Sequence, residues 1–227
     1  NLAGREDIEL LAADPDRIGS PDSDGRGPEL AAELGIAYVD SYDEAFAWQP
    51  DAVVICSENT RHRALAERAA AEGADILCEK PLATTVEDAR AMVDLCAARG
   101  VRLATAFPCR YSPAYQRMRQ QVRSGAIGDV VAIRGTNHGR MPGGWFIDRA
   151  LSGGGAVIDH TVHVADLNRW LLGREATDVY AEIGNGFYHQ DWDDTGFLTI
   201  GYEGGVFATL DTSWSRPDTY PTWGDVT

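Results

Sequence analysis

Short apolar runs alternate with amphipathic patterns of helical period through the first half of the chain. Four runs have the length of buried strands: IELLAA (8–13), DAVVICS (51–57), ADILCEK (74–80) and VRLATAF (101–107). Helices are predicted over 28–35, 60–73 and 84–100, the second capped by Thr60 and the third by a Thr84–Glu87 capping box. This alternation predicts a parallel, doubly wound α/β sheet.

The pattern changes after Phe107. One more helix is predicted over 113–125, followed by longer alternating segments that glycine interrupts, namely 129–139, 176–186, 195–204 and 205–215. Such segments favour an antiparallel or mixed sheet with one face in water. We therefore expect a nucleotide-type α/β domain over 1–107 and an α+β domain over 108–227.

Composition narrows the classes of function. The 227 residues include 35 acidic residues and 20 Lys or Arg, a net charge of −15, so a basic face for nucleic-acid phosphates is not expected. No apolar run approaches the roughly 18 residues of a membrane span. The four cysteines have no CxxC spacing and predict a reducing, cytoplasmic compartment rather than a disulfide scaffold.

Polar residues stand where the predicted strands end, as in Asp14, CSENTRH (56–62) and CEKP (78–81). Ligands of open α/β sheets bind beyond the carboxyl ends of the strands. Asp14 has the place of an acid that binds the ribose hydroxyls of a dinucleotide, although an Asp-Pro turn is the alternative. The glycine-rich loop that accompanies such an acid would precede Asn1, so we expect that loop and the first strand to lie outside this sequence.

Lys80 follows a buried strand directly, and Pro81 stiffens the turn after it. A lysine in this place is commonly a solvated strand end. A stiff turn, however, fixes where the side chain points, and that suits a functional group in a crevice.

The segment GGGAVIDHTVHVADLNRW (153–170) holds two imidazoles and two carboxylates among apolar residues. Asp159 and His163 are four residues apart and share one face of a helix, where a carboxylate can orient an imidazole that acts as general base. His160 is within reach of Asp159 and His163, and a solvated helix face is the alternative. A metal site of Asp159, His160 and His163 is not expected, because no further ligand has zinc-like spacing.

Four stretches together resemble the Gfo/Idh/MocA oxidoreductases, the family of glucose–fructose oxidoreductase and inositol dehydrogenase. They are VVICSENTRH, ILCEKPLATTVEDARAMV, SPAYQRMRQQVRSGAIGDV and GGGAVIDHTVHVADLNRWLLG, in the family's order and spacing. The resemblance implies an N-terminal Rossmann domain and a C-terminal domain whose open sheet forms homo-oligomers. It also implies NAD or NADP as cofactor, a sugar, inositol or related polyol as substrate, and further sequence after the C-terminal residue.

The resemblance also assigns site residues. It implies Lys80, Asp159 and His163 as the catalytic set, and a cofactor site that comprises Asp14, Cys56, Ser57, Glu58, Asn59, His62, Glu79 and Lys80. We add His160 and Trp145 as substrate-binding residues, although the rings of Trp145 and Phe146 serve core packing equally well. The chain departs from the family in Glu58, where Pro is usual, in Thr161, where Gly is usual, and in GGWF (143–146), where a Trp-Arg pair is usual.

The leading hypothesis is reversible oxidation of a secondary alcohol, in which His163 takes the hydroxyl proton and Lys80 stabilises the developing alkoxide. Asp159 is expected to orient His163. Asp14 favours NAD over NADP because it repels a 2′-phosphate, unless Arg17 or Arg26 binds that phosphate. The alternatives are a non-catalytic regulator that binds dinucleotide and an NAD-dependent glycosidase.

Overall fold

The computed structural model describes residues 4–15 and 27–216 and the backbone of 225–226. Arg17 and Arg26 lie outside the described residues, so their predicted contact with a 2′-phosphate stays a prediction. The helices within these ranges are α1 (Gly27–Leu34), α2 (Tyr42–Ala47), α3 (His62–Ala71), α4 (Val86–Arg99), α5 (Pro113–Arg123), α6 (Arg149–Ser152) and α7 (Ala156–Leu172). The strands are β1 (Leu11–Ala13), β2 (Ala37–Val39), β3 (Ala52–Ile55), β4 (Asp75–Cys78), β5 (Leu103–Thr105), β6 (Ala132–His138), β7 (Ala176–Gly184), β8 (Thr195–Tyr202), β9 (Phe207–Ser213) and β10 (Asp225–Val226).

Local capping rules set the helix ends, with two corrections to the predictions. The hydroxyl of Thr85 accepts a hydrogen bond from the Asp88 N–H at 3.1 Å, so α4 is capped one residue later than the predicted Thr84–Glu87 box. A 3-10 turn over Asn59–Arg61 precedes α3, so Thr60 does not cap that helix. The shift places Thr84 outside α4, where it packs against the glycine segment described below.

Every strand pair in the N-terminal half is parallel. Strand β1 pairs with β2, and β3, β4 and β5 form a second group in that order. The core between the second group and the helices α3 and α4 includes Ile55, Ile76 and Met92, which are all nearly inaccessible to water. The parallel strands and their crossover helices confirm the predicted Rossmann-type arrangement.

A cleft of about 650 Å³ separates β1 from β3. Residues 9–14 line one side and residues 52–58 the other, and the two strands meet no partner across it among the described residues. The polar end of the cleft, at Asp14, Ser57 and Glu58, lies at the carboxyl ends of β1 and β3. Open α/β sheets bind their ligands beyond these ends.

The C-terminal half is built on one mixed sheet of order β10-β6-β9-β8-β7. Strands β6 and β9 are parallel, and the other neighbours are antiparallel. Helix α7 covers one face, where Val164 packs against Leu198, Ile200 and Leu210. The mixed sheet confirms the predicted α+β class and leaves the other face open.

The two halves meet at α7 and the loops in front of it. The amide of Asn59 donates a hydrogen bond of 2.8 Å to the carbonyl of Ser152, and both residues are buried. This junction brings the carboxyl ends of β3 and β4 close to the N-terminal half of α7. In the part of the chain that the structure describes, no helix is both long and apolar enough to cross a membrane.

Candidate active site

The three glycines before α7 are required by close packing. A Cβ on Gly155 would overlap the carbonyl oxygen of Asp193, and one on Gly153, whose φ is +83°, would overlap the side chain of Thr84. The Asp193 carboxylate accepts hydrogen bonds from the N–H groups of Gly155 (3.0 Å) and Val157 (2.7 Å). Because the first N–H groups of a helix lack internal partners, Asp193 stabilises this end of α7. Because these glycines have no side chain, Thr84 and the loop before β8 can pack directly against their backbone. This packing fixes where α7 starts.

Helix α7 carries Asp159, His160, His163 and Asp166, and Asp159 reaches across the junction of the two halves to Lys80. Asp166 is 8% exposed and forms a bidentate ion pair with Arg110, whose Nε lies 2.7 Å from Oδ2. That pair ties the turn after β5 to α7. It holds the helix in place between the two halves.

Lys80 reaches this helix from the turn after β4. Its Nζ lies 2.6 Å from Oδ1 of Asp159, and the two side chains are only 16% and 14% exposed. His62 stabilises this turn, since its Nδ1 lies 3.0 Å from the carbonyl oxygen of Pro81. Lys80 is therefore not a solvated strand end.

Asp159 has hydrogen-bond partners at both carboxylate oxygens. Oδ1 faces Lys80, and Oδ2 accepts a hydrogen bond of 3.0 Å from the indole Nε1–H of Trp214. Nε2 of His160 lies 3.3 Å from Oδ2. Burial acts to raise the pKa of Asp159, but the charge of Lys80, with the hydrogen bonds, outweighs it and holds that pKa below its usual value. Asp159 is thus ionised at neutral pH.

The expected orientation of His163 by Asp159 is not found. The predicted i, i+4 spacing is present, but no hydrogen bond joins the two side chains among the described residues. The reason is that Lys80, Trp214 and His160 occupy the carboxylate. Trp214 was missed in the sequence because it lies 55 residues from Asp159, beyond the range of helix periodicity.

His163 is a neutral base at the centre of this cluster. Burial lowers its pKa to about 4, and the positive charge of Lys80 acts in the same direction. Its buried Nδ1 has no hydrogen-bond partner among the described residues. A buried polar atom without a partner is costly, and a catalytic role is one reason for such an atom to persist.

His160 fastens α7 to strand β6. Its Nδ1 lies 3.1 Å from the carbonyl oxygen of Asn137, and the amide of Asn137 donates to the carbonyl of His160 at 3.0 Å. Burial lowers the pKa of His160, against the opposing effect of Asp159. Gly139 passes so close to the ring that a Cβ there would overlap it. Hydrogen bonds and close packing therefore fix the ring of His160 at the edge of the site.

The predicted cofactor residues fall into two groups. Asp14, Cys56, Ser57 and Glu58 line the cleft. Asp14 is exposed at the end of β1, and Glu58 forms an ion pair of 3.1 Å with Arg61. These groups fit a dinucleotide, because an accessible carboxylate and a serine hydroxyl at strand ends are the partners that ribose hydroxyls require.

The second group contacts protein backbone. Asn59 bonds to Ser152, and the ring of the fully buried His62 lies between the carbonyl oxygens of Ser57 and Pro81. The Glu79 carboxylate accepts a hydrogen bond from the Lys80 N–H at 3.1 Å. Direct contact of Asn59, His62 and Glu79 with a cofactor stays a prediction.

Trp145 and Phe146 stack on each other, with ring centroids 3.8 Å apart. Trp145 lines the cleft together with Ser57 and Glu58. Trp145 thus borders the cleft of the predicted cofactor residues, and its expected contact with a sugar stays a prediction. Among the described residues, no group of three or more His, Cys, Asp or Glu side chains is arranged to hold a metal ion.

Comparison with known proteins agrees with this fold. Residues 17–107 match the family model described as an oxidoreductase family with an NAD-binding Rossmann fold, and residues 115–227 match the GFO/IDH/MocA C-terminal domain. The crystal structure of GenD2 from gentamicin A biosynthesis, in complex with NAD, superposes with a TM-score of 0.84. It is 27% identical, over 96% of this chain and 61% of that one.

Two curated relatives are similar in sequence. A 1,5-anhydro-D-fructose reductase of Ensifer adhaerens is 37% identical over 69% of this chain and 48% of its own length. A D-glucoside 3-dehydrogenase of Escherichia coli (strain K12) is 32% identical over 93% of this chain and 64% of its own length. The chain spans less than two thirds of either relative. With matches to both family domains and this fold, the chain belongs to the Gfo/Idh/MocA family of oxidoreductases.

Proposed function

We propose that the intact protein is an NAD-dependent dehydrogenase that oxidises a secondary hydroxyl of a sugar or related polyol, reversibly. The observation that carries this proposal is the buried Lys80–Asp159 ion pair beside a neutral His163 whose Nδ1 has no partner among the described residues. A fixed cation and a free base within one small site are what removal of a hydroxyl proton requires.

Each of the three side chains has a separate task in the proposed mechanism. Lys80 binds the reacting hydroxyl and stabilises the negative charge that develops on its oxygen. His163 accepts the hydroxyl proton and returns it in the reverse reaction. Because its pKa of about 4 makes His163 a weak base, the stabilisation of the alkoxide by Lys80 is essential. Asp159 holds the Lys80 ammonium in place.

The bound nicotinamide dinucleotide supplies the acceptor of the hydride. In this chain, Asp14 is the group that would bind the ribose hydroxyls, with Ser57 and Glu58 across the cleft at the end of β3. An acid at that position disfavours the 2′-phosphate of NADP, because like charges about 4 Å apart repel by up to about 4 kcal/mol at an effective dielectric near 20. We propose NAD as the preferred cofactor, with residues 1–107 as its domain and 108–227 as the substrate domain.

The substrate class follows from the site and from the relatives. Charged and hydrogen-bonding side chains converge at Lys80 and His163, which suits a polyhydroxylated molecule. The relatives named above act, by their names, on an anhydro-sugar and on glucosides. We propose a sugar, a glycoside or a cyclitol, bound by Lys80, Asp159 and His163, with His160 and Trp145 at its edges.

A panel of sugars, glycosides and inositols tests the proposed function. The intact protein is mixed with NAD and each compound, and reduced cofactor and free aglycone are both measured. Reduction of NAD by at least one compound is the expected result. Aglycone release without net reduction would assign the chain to the glycosidases, and dinucleotide binding without any turnover would assign it to the regulators.

We also propose a cytoplasmic homo-oligomer that assembles through the C-terminal sheet. The open face and edge of that sheet expose large apolar side chains, namely Val179, Tyr180, Ile183, Phe197 and Phe207. Exposed apolar patches of this kind mark association sites, and the free cysteines suit a reducing compartment. Light scattering on the intact protein tests the assembly, and Phe197→Glu should shift the mass toward the monomer.

A further inference from the structure

Trp214 lies directly behind Asp159, at the end of β9, and is completely buried. Its backbone N–H donates to the carbonyl of Asp194 at 2.8 Å, and its own carbonyl accepts a hydrogen bond of 3.1 Å from the Tyr188 hydroxyl. The indole N–H then points at Oδ2 of Asp159, 3.0 Å away. Hydrogen bonds thus fix Trp214 at its backbone N–H, at its backbone carbonyl and at the indole N–H, which is the only polar group of its side chain.

The surroundings of this ring are apolar. Trp192 packs against it edge to face with ring centroids 5.3 Å apart, and Ala156, Met141 and Ile147 belong to the same cluster. A buried indole N–H needs an acceptor, and here it bonds to Asp159. In such a setting a hydrogen bond to a carboxylate is stronger than in water.

The two donors reach Asp159 at different oxygens. Lys80 contacts Oδ1 and Trp214 contacts Oδ2, so the carboxylate cannot rotate without losing one of them. We propose that Trp214 is a positioning residue, which holds Asp159 so that the Lys80 ammonium stays where it meets the substrate hydroxyl. This inference rests on the proposed function.

A matched pair of variants in the intact protein separates positioning from packing. Trp214→Phe removes the N–H donor and keeps an aromatic ring, whereas Trp192→Phe disturbs the same cluster and leaves the hydrogen bond to Asp159 in place. We expect kcat to fall roughly 10- to 100-fold in Trp214→Phe, the scale of one hydrogen bond to a charged group. The KM for NAD should stay within about 2-fold, since one hydrogen bond distant from the cofactor end is lost. Trp192→Phe should retain most of kcat.

The pH profile supplies a readout that a purely structural role would not move. The charged and titratable groups that face Asp159 are Lys80, His160 and His163, and all three remain in both variants. Loss of the indole donor raises the pKa of Asp159, because that hydrogen bond helps to lower it. Protonation of His163, whose pKa is about 4, contributes to the acidic limb of kcat/KM in both variants. The limb should lie at higher pH in Trp214→Phe than in Trp192→Phe, because only Trp214→Phe raises the pKa of Asp159. Equal kcat values and identical pH profiles in the two variants would overturn the proposal.

An NMR measurement tests the contact without any turnover. Each tryptophan gives one indole N–H signal, and six of them stand in this sequence. Asp159→Asn should shift the signal that Trp214→Phe removes. Should Trp214→Phe not fold, the Asp159→Asn spectrum is compared with that of the wild type alone. A spectrum in which no indole signal responds to Asp159→Asn would overturn the positioning role. An inactive wild type with a responding signal would instead refute the proposed function.

Discussion

Nζ of Lys80 lies 2.6 Å from Oδ1 of Asp159, although 79 residues separate the two in the chain. The pair joins the turn after β4 in the N-terminal half to helix α7 in the C-terminal half. Because both side chains are largely buried, neither charge can be satisfied by water alone. The ion pair therefore couples the stability of the junction to the geometry of the site.

Removal of Lys80 should destabilise the protein. In Lys80→Met, Asp159 stays buried without its cation, and we expect a loss of about 3 kcal/mol in the free energy of unfolding. The double variant Lys80→Met/Asp159→Asn should recover most of it, because the uncompensated charge is gone. Urea denaturation of the intact protein measures both.

The surface pair Arg169–Glu175 is the matched control for that experiment. Its side chains are 61% and 60% exposed, so Arg169→Met should cost less than about 1 kcal/mol. A Lys80→Met variant as stable as Arg169→Met, or a double variant no better than Lys80→Met, would show that the buried pair does not stabilise the junction.

Substitution of His163 should slow the chemical step. His163→Asn removes the base and keeps a polar side chain, and hydride transfer should fall by roughly 10²- to 10⁴-fold. Single-turnover reduction of NAD measures this step apart from product release. His189→Asn is the control, because His189 is exposed and has a φ of 55°, which Asn tolerates well. Near-normal single-turnover rates in His163→Asn would remove His163 from the mechanism.

The free energy of unfolding should fall on acidification, because His163 is buried in its neutral form. Well above pH 6.5 the imidazole is neutral in both the folded and the unfolded chain and adds no pH dependence. Between pH 6.5 and about 4 only the unfolded chain binds the proton, so stability falls as the pH falls. This residue accounts for up to about 3 kcal/mol of that loss, since each pKa unit corresponds to about 1.4 kcal/mol.

Thermal unfolding from pH 7 to pH 4 compares the wild type with His163→Asn. The variant should lose less stability over that range, as Asn takes up no proton. Parallel curves for the two proteins would mean that His163 titrates in the folded protein near its ordinary pKa.

The glycine before α7 should not tolerate a side chain. In Gly155→Ala the new Cβ overlaps the carbonyl of Asp193, and the shift also strains the hydrogen bonds from Asp193 to the helix start. We expect a cost of about 1–3 kcal/mol, as for other overpacked sites. Gly186→Ala is the control, since a Cβ there meets no atom within 4 Å and the backbone is not left-handed. Equal stability of the two variants would refute the packing argument.

Local pattern in the sequence predicts α7 and its functional face well. The spacing of Asp159 and His163 predicts that they share one face of a helix. Both lie in α7, where Asp159 pairs with Lys80 and Val164 packs into the core of the sheet. The partner of Asp159 could not be predicted in this way. Trp214 follows strand β9, and Asp193 lies in the loop before β8. Both contact α7, and no local rule connects residues so distant in the chain.

Strand β2 and helix α2 were not predicted from the sequence, for a similar physical reason. Strand β2 has three residues, and α2 has six, so neither offers enough periods for its pattern to stand out. Both are fixed by tertiary contacts, such as the pairing of Ala12 with Tyr38 and the burial of Phe46 in the core.

The choice of cofactor should follow from Asp14. We expect the intact protein to bind NAD more tightly than NADP, and Asp14→Ser to narrow the difference, because the carboxylate that repels the 2′-phosphate is removed. Dissociation constants from fluorescence titration of the four protein–cofactor pairs measure the effect. Tighter binding of NADP by the wild type would show that Asp14 does not govern the site.

Transfer of a labelled hydride tests the central claim most directly. A polyol that reduces NAD is prepared with deuterium on the carbon of the reacting hydroxyl, and the reduced cofactor is analysed by mass spectrometry. The account predicts that deuterium moves from that carbon into the reduced nicotinamide, at a rate that falls sharply in His163→Asn. Reduced cofactor without deuterium, or sugar that returns with its label and its hydroxyl unchanged, would contradict it.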